Sequence, residues 1–295
     1  MKYSPLAYAK LNISLDIVSK RPDGYHNLKT IMQSIDLYDE ITVKCTRGEG
    51  IKIETNLPYI PDNSNNTTAK AVNAFFKHAG ITNYNTNLQI NKNIPVSAGL
   101  GGGSTDAACV LRILNEMFKT GLKHKTLEEI AGTIGADVPF CIDGGTKLAE
   151  GKGEILTDLP KIPESHIVVC KPEFSCSTPE LFSRVRLEKL RARPDTEGLI
   201  RALGSGDING IARRMYNVFE DVLPNGKADI ESIKGILLDS GALGAIMTGS
   251  GSAVFGLFTD IDSATVAYEK LKENYHECFL TKTINTTAPV KELEE

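Results

Sequence analysis

The feature that most constrains this chain is Ile94-Pro95-Val96-Ser97-Ala98-Gly99-Leu100-Gly101-Gly102-Gly103-Ser104-Thr105-Asp106, which puts four glycines within five positions. The alternating run Leu88-Gln89-Ile90-Asn91-Lys92 leads into it, and Ala107, Ala108, Val110, Leu111, Leu114 and Met117 follow at helical spacing. A strand must therefore pass into a buried helix through residues that carry almost no side chain. Such glycines let backbone N–H groups converge on an anion, and the opening turn of the helix adds unpaired N–H groups and the positive end of its dipole. The pattern predicts a phosphate cradle with Ser104 as the helix N-cap. The competing reading is a flexible turn before a helix. Two common phosphate loops are excluded. Gly103 is followed by Ser104-Thr105 without the lysine of a Walker loop, and Ser104 stands where a dinucleotide fingerprint needs its third glycine.

Upstream, Ala7, Ala9, Leu11, Ile13, Leu15 and Ile17 alternate with Tyr8, Lys10, Asn12, Ser14 and Asp16, which predicts a strand with one buried face. Lys10 and Asn12 project together from the other face, toward a charged ligand or, on an edge strand, toward solvent. Lys20 to His26 reads as a tight turn built on Pro22 and Asp23-Gly24. A second strand runs from about Leu28 to Cys45, interrupted at Asp39-Glu40. Tyr25 and His26 offer two rings on a loop, suited to a planar base or simply solvated. Asn66 caps a helix ending at Gly80, and Thr126 opens one ending at Gly135. Asp137 is the only charged residue between Glu129 and Asp143, and is either an N-cap or a functional acid held against a partner.

Residues 160–163 form the linker candidate, dividing the chain into domains 1–160 and 161–295. Beyond it come an apolar strand over 166–170 and a capped helix at Ser177-Thr178-Pro179-Glu180 that carries Leu181, Phe182 and Val185. Helical periodicity follows around 199–203, 211–222 and 230–238. The cluster Met247-Thr248-Gly249-Ser250-Gly251-Ser252 is a hairpin tip approaching something closely, or a β-turn. A helix over 264–271, a strand over 278–284 and a frayed acidic tail over 290–295 complete the reading.

Composition removes several function classes. The 295 residues carry 33 basic and 37 acidic side chains, and the nearest thing to a basic block, Lys189 to Arg193, reads as a solvated helix face, so nucleic acid is not an expected partner. Six cysteines stand singly, without a C-x-x-C pair, and Cys109, Cys141 and Cys170 sit among apolar neighbours as small core residues. That usage fits a reducing compartment. No stretch approaches a membrane span of roughly 20 apolar residues, and the N-terminus lacks a signal-type apolar region, so a cytoplasmic protein without a membrane partner is expected.

Three separated elements together resemble the motifs of the GHMP small-molecule kinases: the strand around Lys10, the stretch Pro95 to Ala108, and Met247 to Gly256. Ala9-Lys10-Leu11-Asn12, Arg21-Pro22-Asp23-Gly24-Tyr25-His26 and Gly135-Ala136-Asp137-Val138-Pro139-Phe140 resemble the branch of that family whose substrate is a methylerythritol unit carried on cytidine diphosphate. The resemblance spans essentially the whole chain, and the turn at Arg21 to His26 is its most discriminating piece. It implies an α+β, two-domain GHMP kinase fold, with an N-terminal domain of ribosomal-protein-S5-like type, a ferredoxin-like α/β sandwich after it, and the active site in the cleft between. It also implies ATP with Mg²⁺ as cofactors, a small-molecule cytidine-diphosphate substrate, and a monomer or homodimer. By the same resemblance Pro95, Val96, Ser97, Ala98, Gly99, Leu100, Gly101, Gly102, Gly103, Ser104 and Thr105 hold the ATP phosphates. Asp137 is the base, Lys10 its charge partner, and Asn12, Tyr25, His26, Thr178, Phe182, Gly249 and Ser250 line the substrate pocket. Tyr216-Asn217-Val218-Phe219-Glu220 resembles a family helix with Val218 in place of an acid, and no metal ligand is assigned there. Homoserine- or mevalonate-type kinases, and a catalytically silent nucleotide sensor, are the rival readings.

Overall fold

The strand around Lys10 is more deeply set than its alternation implies. The computed structural model describes residues 2, 3 and 5–290, and in it β2 (Leu6–Lys20) lies between β3 (His26–Arg47) and β9 (Tyr216–Asn217), antiparallel to the first and parallel to the second. Every residue from Ala9 to Ile17 is buried, so the expected single buried face is corrected to two. Ala9, Leu11 and Ile13 join a core shared with the second half of the chain, while Lys10 and Asn12 line a cleft. A polar face in a period-two pattern can meet water or a polar cleft, and alternation does not distinguish them. β3 likewise runs unbroken through Asp39-Glu40. Asp39 is fully buried, paired with Lys92, and accepts the backbone N–H groups of Asn93 and Ile94 at 2.6 and 2.8 Å.

The first sheet has the order β4 (Gly50–Thr55), β5 (Tyr84–Asn91), β3, β2, β9, with β1 (Lys2–Tyr3) and β6 (Thr146–Gly151) also on β3, and β7 (Ile155–Asp158) on β6. Helices α1 (Thr67–Ala79), α2 (Gly102–Met117), α3 (His124–Gly132) and α4 (Val138–Asp143) cover it. Ile41, Val43, Leu88 and Ile90 there meet Val72, Phe75, Val110 and Leu114 in one core. Asn66 caps α1 by accepting the Thr68 N–H, as its sequence predicts.

The second sheet has the order β10 (Gly244–Met247), β11 (Val254–Phe258), β8 (His166–Lys171), β12 (Glu277–Lys282) and is antiparallel throughout. Successive residues of β8 enter different cores. Val168 and Cys170 pack with α8 (Lys227–Asp239) and α9 (Ile261–Lys272). Ile167 and Val169 pack with α6 (Thr196–Ser205), α7 (Ile208–Ala212) and β2. Burial on both faces explains the continuous apolar run. The helix expected over 211–222 is corrected: α7 stops at Ala212, β9 pairs with β2, and a 3₁₀ turn occupies Val218–Val222. Pairing with β2 overrides the local periodicity there.

After β12 the chain returns to the first sheet. Thr283 bridges Ile35, the Ile284 N–H donates to Ser34 O at 3.0 Å, Gln33 Nε2 donates to Ile284 O at 2.6 Å, and Arg112 of α2 donates to Ala288 O. The predicted tail beyond Val290 lies outside the described residues. All six cysteines are free, with Cys109, Cys141 and Cys170 buried. No helix among the described residues is long and apolar enough to cross a membrane.

Candidate active site

The glycine loop ends in a helix start that no side chain caps. Gly101, in the left-handed region at φ 73°, is the N-cap of α2, and Ser104 sits inside the first turn with its N–H on Gly101 O at 2.9 Å. The Ser104 N-cap expectation is thereby corrected. The opening N–H groups keep their anion-binding capacity because no side-chain oxygen takes them. Gly99, Gly101 and Ser104 line a cavity of about 1540 Å³. A methyl group on Gly99 would lie 2.1 Å from the Thr248 carbonyl oxygen, so the loop touches the second glycine cluster backbone to backbone. Pro95, Ala98 and Leu100 are buried supports, Val96 is half-buried, and Ser97 is exposed at φ 55°. Gly102 and Gly103 form the first turn, where Gly103 O accepts the Thr67 hydroxyl at 2.7 Å. Thr105 spends its hydroxyl on Tyr8 O at 2.7 Å.

Beneath the loop is a buried ionic cluster that sequence reasoning missed. Lys92 pairs with Asp39 of β3 and with Asp106 of α2, the latter at 2.7 Å, while Asp39 holds the N–H groups of Asn93 and Ile94 at the loop's entrance. Both ends of the loop are thus fastened to one cluster. Burial works against the Lys92 charge, but the Asp106 and Asp39 carboxylates outweigh it and raise its pKa. For Asp106, burial joined by the Asp39 charge outweighs Lys92 and pushes the carboxyl up to about 8.

Lys10 is 3% exposed and its ammonium has three partners: Asn12 Oδ1 at 2.6 Å, Gly99 O at 2.8 Å and Asp137 Oδ2 at 3.4 Å. Three protons meet three oxygens, so the buried charge is fully satisfied. Asn12 is itself fixed, donating from Nδ2 to Thr30 Oγ1 at 2.8 Å and from its backbone N–H to Thr248 Oγ1 at 2.9 Å. Asp137 occupies the N-cap position of α4 yet makes no side-chain cap bond. Val138, Pro139 and Phe140 are buried behind it, while its own side chain stays 35% exposed toward the cavity.

The aromatic wing lies at another part of the same cavity, which Tyr25, His26, Thr178, Phe182, Gly249 and Ser250 all line. Tyr25 is 62% exposed, with Lys152 Nζ 5.3 Å from its ring centroid. His26 stacks on Phe182 at 5.0 Å and 17°, closer than a third ring between them allows. Phe219 meets Phe182 in a T-shaped contact, with ring centroids 5.0 Å apart and planes at 87°. Burial, and behind it Lys20, lowers the His26 pKa and favours its neutral ring. Thr178 Oγ1 donates to Ser250 Oγ at 2.9 Å, joining α5 (Thr178–Arg184) to the second glycine cluster. Among the described residues no group of three or more His, Cys, Asp or Glu side chains is arranged to hold a metal.

Comparison with known proteins gives a consistent result. The family described as GHMP kinases N terminal domain matches residues 66–145, and GHMP kinases C terminal matches residues 199–277. The chain is 45% identical over 278 residues to a 4-diphosphocytidyl-2-C-methyl-D-erythritol kinase of Clostridium botulinum, covering 94% of this chain and 99% of that one. A crystal structure of 4-(cytidine 5'-diphospho)-2C-methyl-D-erythritol kinase superposes with a TM-score of 0.79 at 31% identity, over 95% of this chain and 98% of the other. Homoserine kinase from Cytophaga hutchinsonii shares the fold, with a TM-score of 0.75 at 19% identity over 98% and 97% of the two chains.

Proposed function

Because the chain belongs to the GHMP kinases, and within them to the 4-diphosphocytidyl-2-C-methyl-D-erythritol kinases, we propose that it phosphorylates that compound with ATP, Asp137 serving as base and Lys10 as its charge partner. The reaction transfers the γ-phosphoryl group of ATP to the 2-hydroxyl of the methylerythritol unit and releases ADP, a step of the non-mevalonate route to isoprenoid precursors. The two working units are 1–160, carrying the ATP loop, Lys10 and Asp137, and 161–295, carrying Thr178, Phe182 and the second glycine cluster.

The observation that carries this reading is the Lys10 ammonium shared among Asn12, Gly99 O and Asp137 at the junction of the glycine loop and the aromatic wing. Phosphoryl transfer asks a protein mainly for positioning and charge stabilisation, with a base oriented on the attacking hydroxyl. The phosphates fit the start of α2, where uncapped N–H groups adjoin the cavity and the close packing at Gly99 leaves no room for a Cβ. No group of three or more His, Cys, Asp or Glu side chains among the described residues is arranged to hold Mg²⁺, so the ion would arrive with ATP and would supply charge neutralisation at the phosphates. Asp137, open to the cavity, accepts the proton of the 2-hydroxyl as that oxygen bonds to phosphorus. Lys10 holds the carboxylate in place and offsets negative charge as it develops. The cytosine is gripped beside Tyr25, His26 and Phe182, and this remote binding raises turnover as well as affinity. The free cysteines fit a cytoplasmic setting.

The test is an ADP-release assay with ATP and a panel of 4-diphosphocytidyl-2-C-methyl-D-erythritol, free methylerythritol, homoserine and mevalonate. Turnover is expected with the cytidine compound alone. Asp137→Asn is expected to abolish it while calorimetric ATP binding persists. Near-normal turnover by that variant removes the base assignment, and preference for homoserine or mevalonate removes the substrate.

A further inference from the structure

We propose that Asn217, which lies behind the cavity, is a positioning residue for phosphoryl transfer: its carboxamide holds the second glycine cluster against the two groups that orient Lys10. The proposal rests on the kinase reading above.

Asn217 ends β9 and is 2% exposed. Its Nδ2 donates to Met247 O and to Gly249 O, both at 2.8 Å, and its Oδ1 accepts the Phe219 N–H at 3.0 Å. Both amide protons are therefore committed to the carbonyls that bracket Thr248. Glu220 adds a second grip, accepting the Met247 N–H at 2.7 Å while paired with Lys234 at 2.7 Å.

The segment held this way lies directly against the Lys10 acceptors. Thr248 takes the Asn12 backbone N–H on its hydroxyl, and its carbonyl meets Gly99 face to face. A methyl group on Gly249 would come within 2.9 Å of Gly99 O and 3.2 Å of Asn12 Oδ1. Those two oxygens take two of the three Lys10 protons, and Asp137 takes the third. Asn217 also fixes the frame from the other side, because β9 pairs with β2 at Leu15, three residues beyond Asn12. A shift of the cluster is therefore passed directly to Asn12 and Gly99, and through them it reaches Lys10.

Asparagine is the side chain this position requires. An aspartate of the same shape still accepts the Phe219 N–H but sets a carboxylate oxygen against two carbonyl oxygens, with no proton to offer either. A residue that only filled space would tolerate the exchange.

The experiment measures kcat per ATP-binding site, counted calorimetrically with a non-hydrolysable ATP analogue, and KM for ATP, in wild type, Asn217→Asp and Asn217→Ser. Misplacement by ~1 Å can cost ~10²-fold in rate, so Asn217→Asp is expected to lose at least about tenfold in kcat per site with KM for ATP within about threefold. Asn217→Ser, which keeps one donor, is expected to fall between it and wild type. Wild-type kcat in Asn217→Asp, or a change confined to KM, overturns the proposal. Should Asn217→Asp fail to fold, Asn217→Ser decides alone: a lower kcat at unchanged KM supports the role, and an unchanged kcat removes it. Wild-type turnover of the cytidine substrate separates the two readings. If it is absent, the kinase reading and the Asn217 role fall together. If it is present and matched by Asn217→Asp, only the Asn217 role falls.

Discussion

Replacing Gly99 with alanine tests the contact between the two glycine segments. Gly99 has φ +78°, a region that costs an L-residue roughly 1–2 kcal/mol. That strain is the smaller part. The added Cβ would lie 2.1 Å from the Thr248 carbonyl oxygen and 3.1 Å from the Gly251 nitrogen, all backbone atoms that no rotamer change can move aside. One segment must retreat by roughly 1 Å or more, and the Gly99 carbonyl that takes a Lys10 proton moves with it. A displacement of ~1 Å can cost ~10²-fold, so kcat/KM for the cytidine substrate is expected to fall by about that factor, near 2.7 kcal/mol of transition-state stabilisation. Gly121→Ala is the control. Its φ of +65° imposes the same torsional strain, but an added Cβ meets nothing within 4 Å, so it is expected to lose about 1–2 kcal/mol of stability with kcat/KM unchanged. The assay is steady-state ADP release beside urea denaturation of both variants. Wild-type kcat/KM in Gly99→Ala, or an equal loss in Gly121→Ala, would refute the argument from contact.

Tyr25→Ala is expected to raise KM for the cytidine substrate about tenfold, within the ~1–3 kcal/mol that base stacking supplies, with KM for ATP unchanged; an unaltered substrate KM counts against the stacking role. Asp106 carries a pKa raised by burial from 3.8 to about 8, so the folded chain keeps a proton that the unfolded chain has released between those values. Its contribution to stability is fully present below the unfolded pKa and is lost as pH rises through about 8, by up to ~1.4 kcal/mol per pH unit. Asp106→Asn, which stays neutral, is expected to flatten that part of the stability profile between pH 5 and 8 in urea titrations, and an unchanged slope would reject the assignment. Gly235→Ala, inside α8 with open space around its Cβ position, is expected to stabilise the fold by about 0.8–1.0 kcal/mol, and a lower melting temperature would contradict it.

Local signals in the sequence carried far, and they failed where distant residues decide the outcome. The alternation in β2 identified a strand but left Lys10 between solvent and ligand, because the residues that settle the matter, Gly99 and Asp137, lie 89 and 127 positions away. Ser104 has the right chemistry for an N-cap, yet Gly101 can adopt φ 73° and start α2 one turn earlier, a choice set by loop geometry rather than capping propensity. Asp39 reads as a strand breaker until Lys92 and two backbone N–H groups are brought to it. The helix expected through Tyr216 gives way because β2 offers it a partner. Tyr25, His26 and Phe182 were legible as rings, since aromatic side chains on a turn and on a capped helix are visible one by one. The tight His26–Phe182 stack was not, because it depends on how α5 meets the start of β3.

The return of residues 283–288 to the first sheet and to Arg112 has a consequence for how the chain is made. A ribosome completes β1 to β7 long before it delivers the segment that bridges Ile35 and caps the side of α2. Until then Gln33, Ser34 and Arg112 hold hydrogen-bonding groups whose partners have not been synthesised. The glycine loop opens α2, so its final setting waits for residues 283–288, which are translated long after the loop itself. A chain released short of residue 283 keeps every glycine of the loop and still lacks the clasp on the helix that follows them.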